Sequence, residues 1–574
     1  MMRLLLCLLI ACFFTNILQG QVAPAYFTDI SVEAGFLNTG NNQGTAIADY
    51  DNDGDEDVYV SVRGGKNKLY QNNGNEVFIE VAELAGLDFD DVTLMSVWGD
   101  LDNDGYLDLF VGNYEEPNRL YRNKGDGTFE NVSLSAGIGN SNRVQAVAMG
   151  DIDRDGWLDI YVANLSEQNF MYKNNGDFTF SNVVNQSNTT DTQIAMGTIF
   201  FDYDNDSDLD LYLVHDADQA CILYENDGTG KFIDVSAASG TNVAINGMGV
   251  DVADFDHNGF LDIYVTNLGP NVLLLNNGDK TFTNVAENAN VDNAGMGWGT
   301  TFLDYNNDTW ADIYMVNNHN FAPFPNRLYH NKGDGTFEVV SYDSPLEAKK
   351  VSFGTAAADF DDDGFLDIAL ANWGSVGLQL FRNEMTKGNW VKIKTTGTES
   401  NRSAIGSRIQ IYHDGIMQMD EVTAGSSWAS QNSLTLHFGL AEAEVIDSVM
   451  IRWANGLEEM YYDLEVNQTY HFTEAEGVMI TSIEEKINLI EAFNIVPNPF
   501  QDASSIEVNL LQSSSTTSKL YDMKGQEIAV LFEGNLEAGK HTFEIGENVL
   551  KKRGVYICRL ESGESSITRK LVKL

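Results

Sequence analysis

From Phe27 to Asn383 the chain repeats one arrangement of apolar and polar positions. A short run of small and apolar residues, such as Gly44-Thr45-Ala46-Ile47-Ala48, enters a polar stretch rich in aspartate. An alternating run follows, Asp57-Val58-Tyr59-Val60-Ser61-Val62, then a block Asn67-Lys68-Leu69-Tyr70-Gln71-Asn72-Asn73-Gly74, then a third block that opens on Phe78. The runs are short, rich in β-branched and aromatic residues, and punctuated by Gly, Asn and Asp, so each reads as a strand bounded by tight turns. Four such strands in a unit of about fifty residues predict a propeller blade. The aspartate stretches begin at Asp49, Asp100, Asp151, Asp202, Asp254, Asp304 and Asp359, with successive starts 50 to 55 residues apart.

The Phe blocks begin at Phe27, Phe78, Phe129, Phe180, Phe232, Phe282 and Phe337. The first precedes every aspartate stretch, and none follows the last unit after Phe381-Arg382-Asn383. A ring in which the strand near Phe27 completes the last blade accounts for both ends. It also removes the sheet edges that an open array would expose.

Beyond Asn383 the alternation continues without the aspartates, as in Trp390-Val391-Lys392-Ile393-Lys394. The expected fold is all-β: a seven-bladed β-propeller followed by two small β-sandwich domains. The expected boundaries are 1–20 for a signal peptide, 21–384 for the ring, 385–475 for the first sandwich, 476–491 for a linker around Glu484-Glu485-Lys486, and 492–574 for the second sandwich. Met1–Arg3 and the apolar Leu4–Phe14 have the form of a secretory signal cleaved before Gln21. Leu9-Ile10-Ala11-Cys12 offers a lipoprotein-type box as the lesser reading, since the apolar run continues past Cys12. No later segment is long and apolar enough for a membrane helix, so none is expected in the mature chain.

Charge narrows the functional classes. Asp and Glu number 85 against 34 Lys and Arg, a formal net charge of -51. That balance excludes nucleic acid as a partner, because binding it rests on neutralising phosphates with cations. Of four cysteines, Cys7 and Cys12 leave with the signal, and Cys221 and Cys558 fall in different domains. A disulfide framework is therefore not expected.

The aspartate stretches carry the candidate chemistry. Carboxylates stand at positions one, three, five and nine, with Gly at six and a backbone carbonyl available at seven, from Asp55 in the first loop. Ca²⁺ takes six to eight oxygens, and alternating side chains aim at one loop centre while Gly permits the turn. The candidate ligands are Asp49, Asp51, Asp53 and Asp57; Asp100, Asp102, Asp104 and Asp108; Asp151, Asp153, Asp155 and Asp159; and Asp202, Asp204, Asp206 and Asp210. The remaining loops contribute Asp254, Asp256, Asn258 and Asp262; Asp304, Asn306, Asp308 and Asp312; and Asp359, Asp361, Asp363 and Asp367. Up to seven Ca²⁺ are expected, because so many bare carboxylates would repel one another and oppose folding. The loops lack the twelfth-position Glu of an EF-hand and are flanked by strands. Ser207 and Thr309 replace the turn Gly in the fourth and sixth loops, and Asn258 and Asn306 each remove a charge. The loop at Asp304 is thus expected to bind most weakly, with those at Asp202 and Asp254 intermediate.

Asp49-Tyr50-Asp51-Asn52-Asp53-Gly54 and Asp100-Leu101-Asp102-Asn103-Asp104-Gly105 resemble the loop of FG-GAP/VCBS repeats in integrin-α-like propellers. The resemblance implies calcium in a hairpin of each blade on one face, with ligand binding typically on the other. Asn389-Trp390, Ser400–Arg408, Ser430-Gln431, Leu436-His437-Phe438-Gly439-Leu440 and Ile451-Arg452-Trp453-Ala454-Asn455-Gly456 resemble the ASPIC/UnbV module of the cartilage acidic protein family, which usually has Pro where Ala454 stands. Val496-Pro497-Asn498-Pro499-Phe500, Leu520–Gly525, Gly554–Leu560 and Lys570–Leu574 resemble the C-terminal sorting domain of type IX secretion. That resemblance implies a Gram-negative bacterium of the Bacteroidetes type, the type IX machinery as a partner, and a secreted or outer-surface location.

No nucleophile elbow, zinc-protease, P-loop or dinucleotide motif is present, and the eight histidines are dispersed. The leading expectation is a binding or adhesion protein for an extracellular protein or glycan, not an enzyme. The alternative is an enzyme or accessory factor of extracellular polysaccharide breakdown, with a site drawn from Trp98, Trp298, His215 and His319. His437, beside Phe438 in a strand pattern, reads as a packed core histidine.

Overall fold

The computed structural model describes residues 26–36, 40–74, 76–480, 490–500, 503–522, 527–546, 549–562 and 565–573. The signal peptide and the Glu484-Glu485-Lys486 linker lie outside the described residues.

In the first unit Gly40–Ala48, Asp57–Val62, Lys68–Asn72 and Phe78–Glu80 pair in that order, each antiparallel to the next. Five further units repeat the order, their first strands being Thr93–Gly99, Ser141–Gly150, Ala195–Phe201, Gly247–Ala253 and Gly297–Leu303. The last unit, Ser352–Ala358, Asp367–Gly374 and Leu378–Asn383, takes its fourth strand from the N-terminal Phe27–Asp29, with Phe27 opposite Asn383. The first strands stand side by side around an axis, and Gly40–Ala48 touches both Thr93–Gly99 and Ser352–Ala358. The array therefore closes on itself.

Recurring asparagines lock neighbouring units together. Asn123 Nδ2 donates to the Tyr50 carbonyl of the preceding unit at 2.8 Å. Asn174, Asn226, Asn276, Asn331 and Asn383 do the same one unit further on each time. Asn72 completes the circuit by donating to Phe360 O of the last unit at 2.9 Å. Each bond contributes about 1 kcal/mol, and losing one would strand a buried donor.

The second domain pairs two four-stranded sheets. One contains Leu436–Ala441, Asn389–Thr396, Gln468–Thr473 and Gly477–Ile480; the other contains Ile416–Glu421, Arg408–His413, Val445–Arg452 and Glu458–Glu465. The strand Gly477–Ile480 falls inside the stretch read from sequence as linker, and it pairs with Gln468–Thr473.

Between Ile416–Glu421 and Leu436–Ala441 the chain runs into the axis of the ring. Its backbone forms single β-bridges with three first strands, at Ala46–Gln431, Met149–Ala424 and Val250–Ser427. Trp98 N donates to Gln431 Oε1 at 2.7 Å, Thr300 N to Ser427 Oγ at 3.0 Å, and Ala357 N to Asn432 Oδ1 at 3.0 Å. The fit is close enough that a Cβ on Gly44 would stand 1.6 Å from Ala429 O. Trp428 packs edge-on against Trp298, ring centroids 4.5 Å apart. One apolar core spans both domains, joining Val147, Met149 and Met248 to Ile405, Trp428 and Trp453.

The C-terminal domain has two sheets of its own and a separate core from Phe493 to Leu571. Cys221 and Cys558 are both free and buried. No helix among the described residues is long and apolar enough to cross a membrane.

Candidate metal centres

Each aspartate stretch turns between the first and second strand of its unit, so all of them lie on one face of the ring. The ninth-position residue has a structural task in every unit. Asp57, Asp108, Asp159, Asp210, Asp262, Asp312 and Asp367 accept the backbone N–H of the asparagine that ends the third strand at 2.7–2.9 Å. Their other oxygen accepts the position-two N–H of the loop at 2.9–3.3 Å. Position one caps its own turn: Asp100 accepts from Asp104 N at 3.1 Å and Gly105 N at 2.7 Å, and Asp151, Asp202, Asp254, Asp304 and Asp359 repeat this. Asp49 departs from the pattern, with Lys394 Nζ at 3.0 Å from one oxygen and no hydrogen-bond partner for its buried Oδ1.

Position three is different. Oδ1 of Asp51, Asp102, Asp153, Asp204 and Asn306 is buried with no hydrogen-bond partner. A buried acceptor left alone is costly, and these clusters could hold a cation that would partner it. Ligand oxygens of Asp49, Asp51 and Asp53, of Asp100, Asp102 and Asp108, of Asp151, Asp153 and Asp159, of Asp202, Asp204 and Asp206, and of Asp254, Asp256 and Asp262 each lie within 4.8 Å of one another. The hard, all-oxygen donor set suits Ca²⁺.

Burial, and then repulsion from the neighbouring carboxylates, pushes Asp53 up to about 7. Burial likewise raises Asp100 and Asp254 to about 7 and Asp151 to about 6. Without a cation these loops hold protons near neutrality, and a bound dication would displace them.

The turn position has positive φ throughout, from +98° at Gly54 to +75° at Ser207, and +87° at Thr309. The left-handed turn inferred from the glycines is thus imposed on Ser207 and Thr309 as well. Position four is also left-handed, at +58° for Asn52 and +55° for Asn103, and it carries a signal the spacing of aspartates did not raise. Asn52, Asn103, Asn205, His257 and Asn307 reach forward to the turn carbonyl of the next loop at 2.9 Å, so neighbouring loops hold one another. Its repetition in the sequence was the available clue.

The second domain covers this face. Lys392 Nζ is 2.8 Å from Asp359 Oδ2, and Arg452 is 2.5 Å from Asp202 Oδ2. His437 lies in the strand Leu436–Ala441 and is packed, as its pattern implied; its Nε2 meets Gly364 O of the seventh loop at 3.0 Å, and burial lowers its pKa to about 4. Trp98, Trp298, His215 and His319 do not converge. Trp98 is buried between the first two units, Trp298 lies against the axial loop, and His215 bonds Asp191 and Ala220 O. The two tryptophans are not equivalent either: Trp98 stands two residues before its first loop aspartate and Trp298 six.

Residues 49–370 match the FG-GAP-like repeat in six overlapping spans, 49–111, 100–162, 151–213, 202–265, 258–315 and 304–370. The chain belongs to the FG-GAP-like repeat family. This FG-GAP protein also matches ASPIC and UnbV over 397–478 and the secretion system C-terminal sorting domain over 494–574. The sorting domain assigns it to type IX export and an extracellular or cell-surface location. It is similar to cartilage acidic protein 1 of Xenopus tropicalis, 24% identical over 72% of this chain and 70% of that one. It is also similar to the Homo sapiens protein of that name, 23% identical over 72% and 69%. Among solved structures it is similar to an Agrocybe aegerita lectin that recognises non-reducing terminal N-acetylglucosamine, with TM-score 0.35, 18% identity, and 53% of this chain and 81% of that one covered. It is similar too to Saccharomyces cerevisiae Sqt1, with TM-score 0.39, 11% identity, and 63% and 99% covered. Those superpositions are loose, and no ligand or partner follows from them. The matched families are not known catalytic ones.

Proposed function

We propose that this FG-GAP protein is an exported, calcium-stiffened propeller that binds an extracellular protein or glycan. The calcium part rests on one observation: an oxygen at position three that is buried and unpartnered in loop after loop. Seven Ca²⁺, one per loop, would give each of those oxygens a partner and relieve the repulsion among positions one, three and five. The second domain occupies the loop face, which leaves the opposite face for a ligand. Strand direction puts the turns after Asp312–Asn317 and Asp367–Gly374 on that face, where Phe321 is 66% and Trp373 40% exposed. Exposed aromatics are the side chains that stack on sugars and anchor protein contacts. The domains are read as 21–384 and 385–475, the latter extended to Ile480, with 492–574 as the sorting unit.

Two measurements test this reading. Metal analysis of protein equilibrated with ~1 mM calcium should return, above the free ion, up to seven calcium per chain, the number of loops. A glycan and extracellular-protein array should give hits that disappear in Trp373→Ala with the fold intact. Metal-free protein of unchanged stability would refute the calcium half, an array without hits would refute the binding half, and hits that survive Trp373→Ala would take the site away from that side chain.

A further inference from the structure

One register position in the third strand stands beside the loop of its unit, and it differs in charge from unit to unit. It is the residue just before the locking asparagine: Gln71, Arg122, Lys173, Glu225, Leu275, His330 and Arg382. Gln71 Nε2 donates to Asp51 at 2.6 Å. Arg122 instead forms ion pairs with Asp102 and, at 3.3 Å, with Asp104, covering positions three and five of the second loop. Lys173 does the same in the third, at 2.5 Å from Asp153 and 2.7 Å from Asp155. In the fourth loop the position holds an acid, Glu225, and the cation comes from the neighbouring unit: Lys280 sits 3.1 Å from Glu225 and pairs with Asp204. The fifth loop has Leu275 there, and no ion pair among the described residues involves Asp254, Asp256 or Asp262. In the seventh, Arg382 turns away to Glu76 and Glu384.

We propose that Arg122, Lys173 and Lys280 are tethered counter-ions that set the second, third and fourth loops apart from the fifth. The second, third and fourth loops carry their own positive charge on the position-three carboxylate, so they keep their shape without metal and bind a divalent cation more weakly. The fifth has no such charge and depends on the metal, so it ranks above the second and third loops rather than below them as Asn258 alone suggested. The inference rests on the calcium reading and adds to it the residue that weakens the second, third and fourth sites. The reason is Coulombic: a fixed monocation next to a dication subtracts attraction that a neutral side chain would leave in place. The tethered groups are one third to one half exposed, so added salt weakens the effect.

The third loop supplies its own reporter, because Trp157 stands at position seven, its backbone N–H donating to Asp155 Oδ1 at 3.1 Å. The metal-stripped full chain is titrated with terbium, and tryptophan-sensitised emission lost in Trp157→Phe is assigned to this loop. Lys173→Gln should tighten that component about tenfold at low salt, and Lys173→Arg should match the wild type. Leu275→Lys should lower the calcium retained per chain on dialysis at limiting calcium. A Lys173→Gln affinity within about twofold of wild type, with Leu275→Lys retaining all its calcium, overturns the inference and leaves the calcium reading standing. Absence of any terbium or calcium binding to the wild type overturns both.

Discussion

The second domain and the C-terminal domain follow the same ring, yet they relate to the rest of the molecule in opposite ways. The second sends a loop down the ring's axis, where its backbone bridges three first strands and its side chains bond others. Its apolar residues belong to the ring's own core. The C-terminal domain has a core in which every residue lies between Phe493 and Leu571. A domain that must be read by an export machine needs no contact with its cargo to be stable. A loop that closes a ring's axis cannot be removed without exposing the first strands it covers.

The largest test of this difference is truncation. Stopping the chain after Asn383 should yield a ring that does not fold in soluble form, because Trp98 N, Thr300 N and Ala357 N lose their partners and the axis opens. Stopping after Ile480 should leave the thermal unfolding of the remaining protein within about 2 °C of wild type, while export to the surface is lost. A soluble, cooperative ring without the second domain would erase the comparison.

Calcium removal comes next. With an extracellular-type dissociation constant of ~10⁻⁴ M and ~1 mM calcium, each site contributes about 1.4 kcal/mol, and seven together about 10 kcal/mol. Calorimetry in excess chelator should show the transition of the ring and second domain falling steeply while that of the C-terminal domain stays in place. A coincident fall of both would show that the domains are coupled after all.

The metal-free protein should also respond to pH in a definite direction. Asp53, Asp100 and Asp254 are raised to about 7 and Asp151 to about 6, above their unfolded values near 4. The folded state therefore binds more protons than the unfolded one between about pH 4 and 7, and stability falls as pH rises through that window. In chelator the melting temperature should be higher at pH 5 than at pH 8. Calcium should reverse or flatten the slope, since it displaces those protons.

Single glycines sharpen the contrast locally. Gly44→Ala puts a Cβ 1.6 Å from Ala429 O of the axial loop and should cost about 1–3 kcal/mol or more by denaturant unfolding. Gly546→Ala, in the C-terminal domain with nothing within 4 Å of the added atom, should be close to neutral. Equal effects would mean that the axial fit is not tight.

The smallest expected effect is Thr309→Gly. At φ +87° a β-branched residue is strained, so the substitution should stabilise the calcium-loaded protein by about 1 kcal/mol, read from its melting temperature. No gain would mean that the buried Thr309 side chain offsets its own strain through packing.

The repeat period, the aspartate loops and the closing strand at Phe27 were legible in the chain because they are local and recur. A strand announces itself by alternation, and a left-handed turn by its glycine, as Gly54 and Gly105 did. The position-four asparagines were visible as letters but not as links, because their acceptors lie a full unit away. The stretch from Val422 to Ser433 contains no repeat, and its Ser430-Gln431 spoke only for a family resemblance. That it fills the ring's axis, and that Lys392, Lys394 and Arg452 come down on the loop face, depend on how two domains of fixed shape dock. Sequence periodicity records the neighbours each residue meets along its own strand and sheet. What meets it across a domain boundary is decided by shape and charge complementarity that exist only once both surfaces have folded.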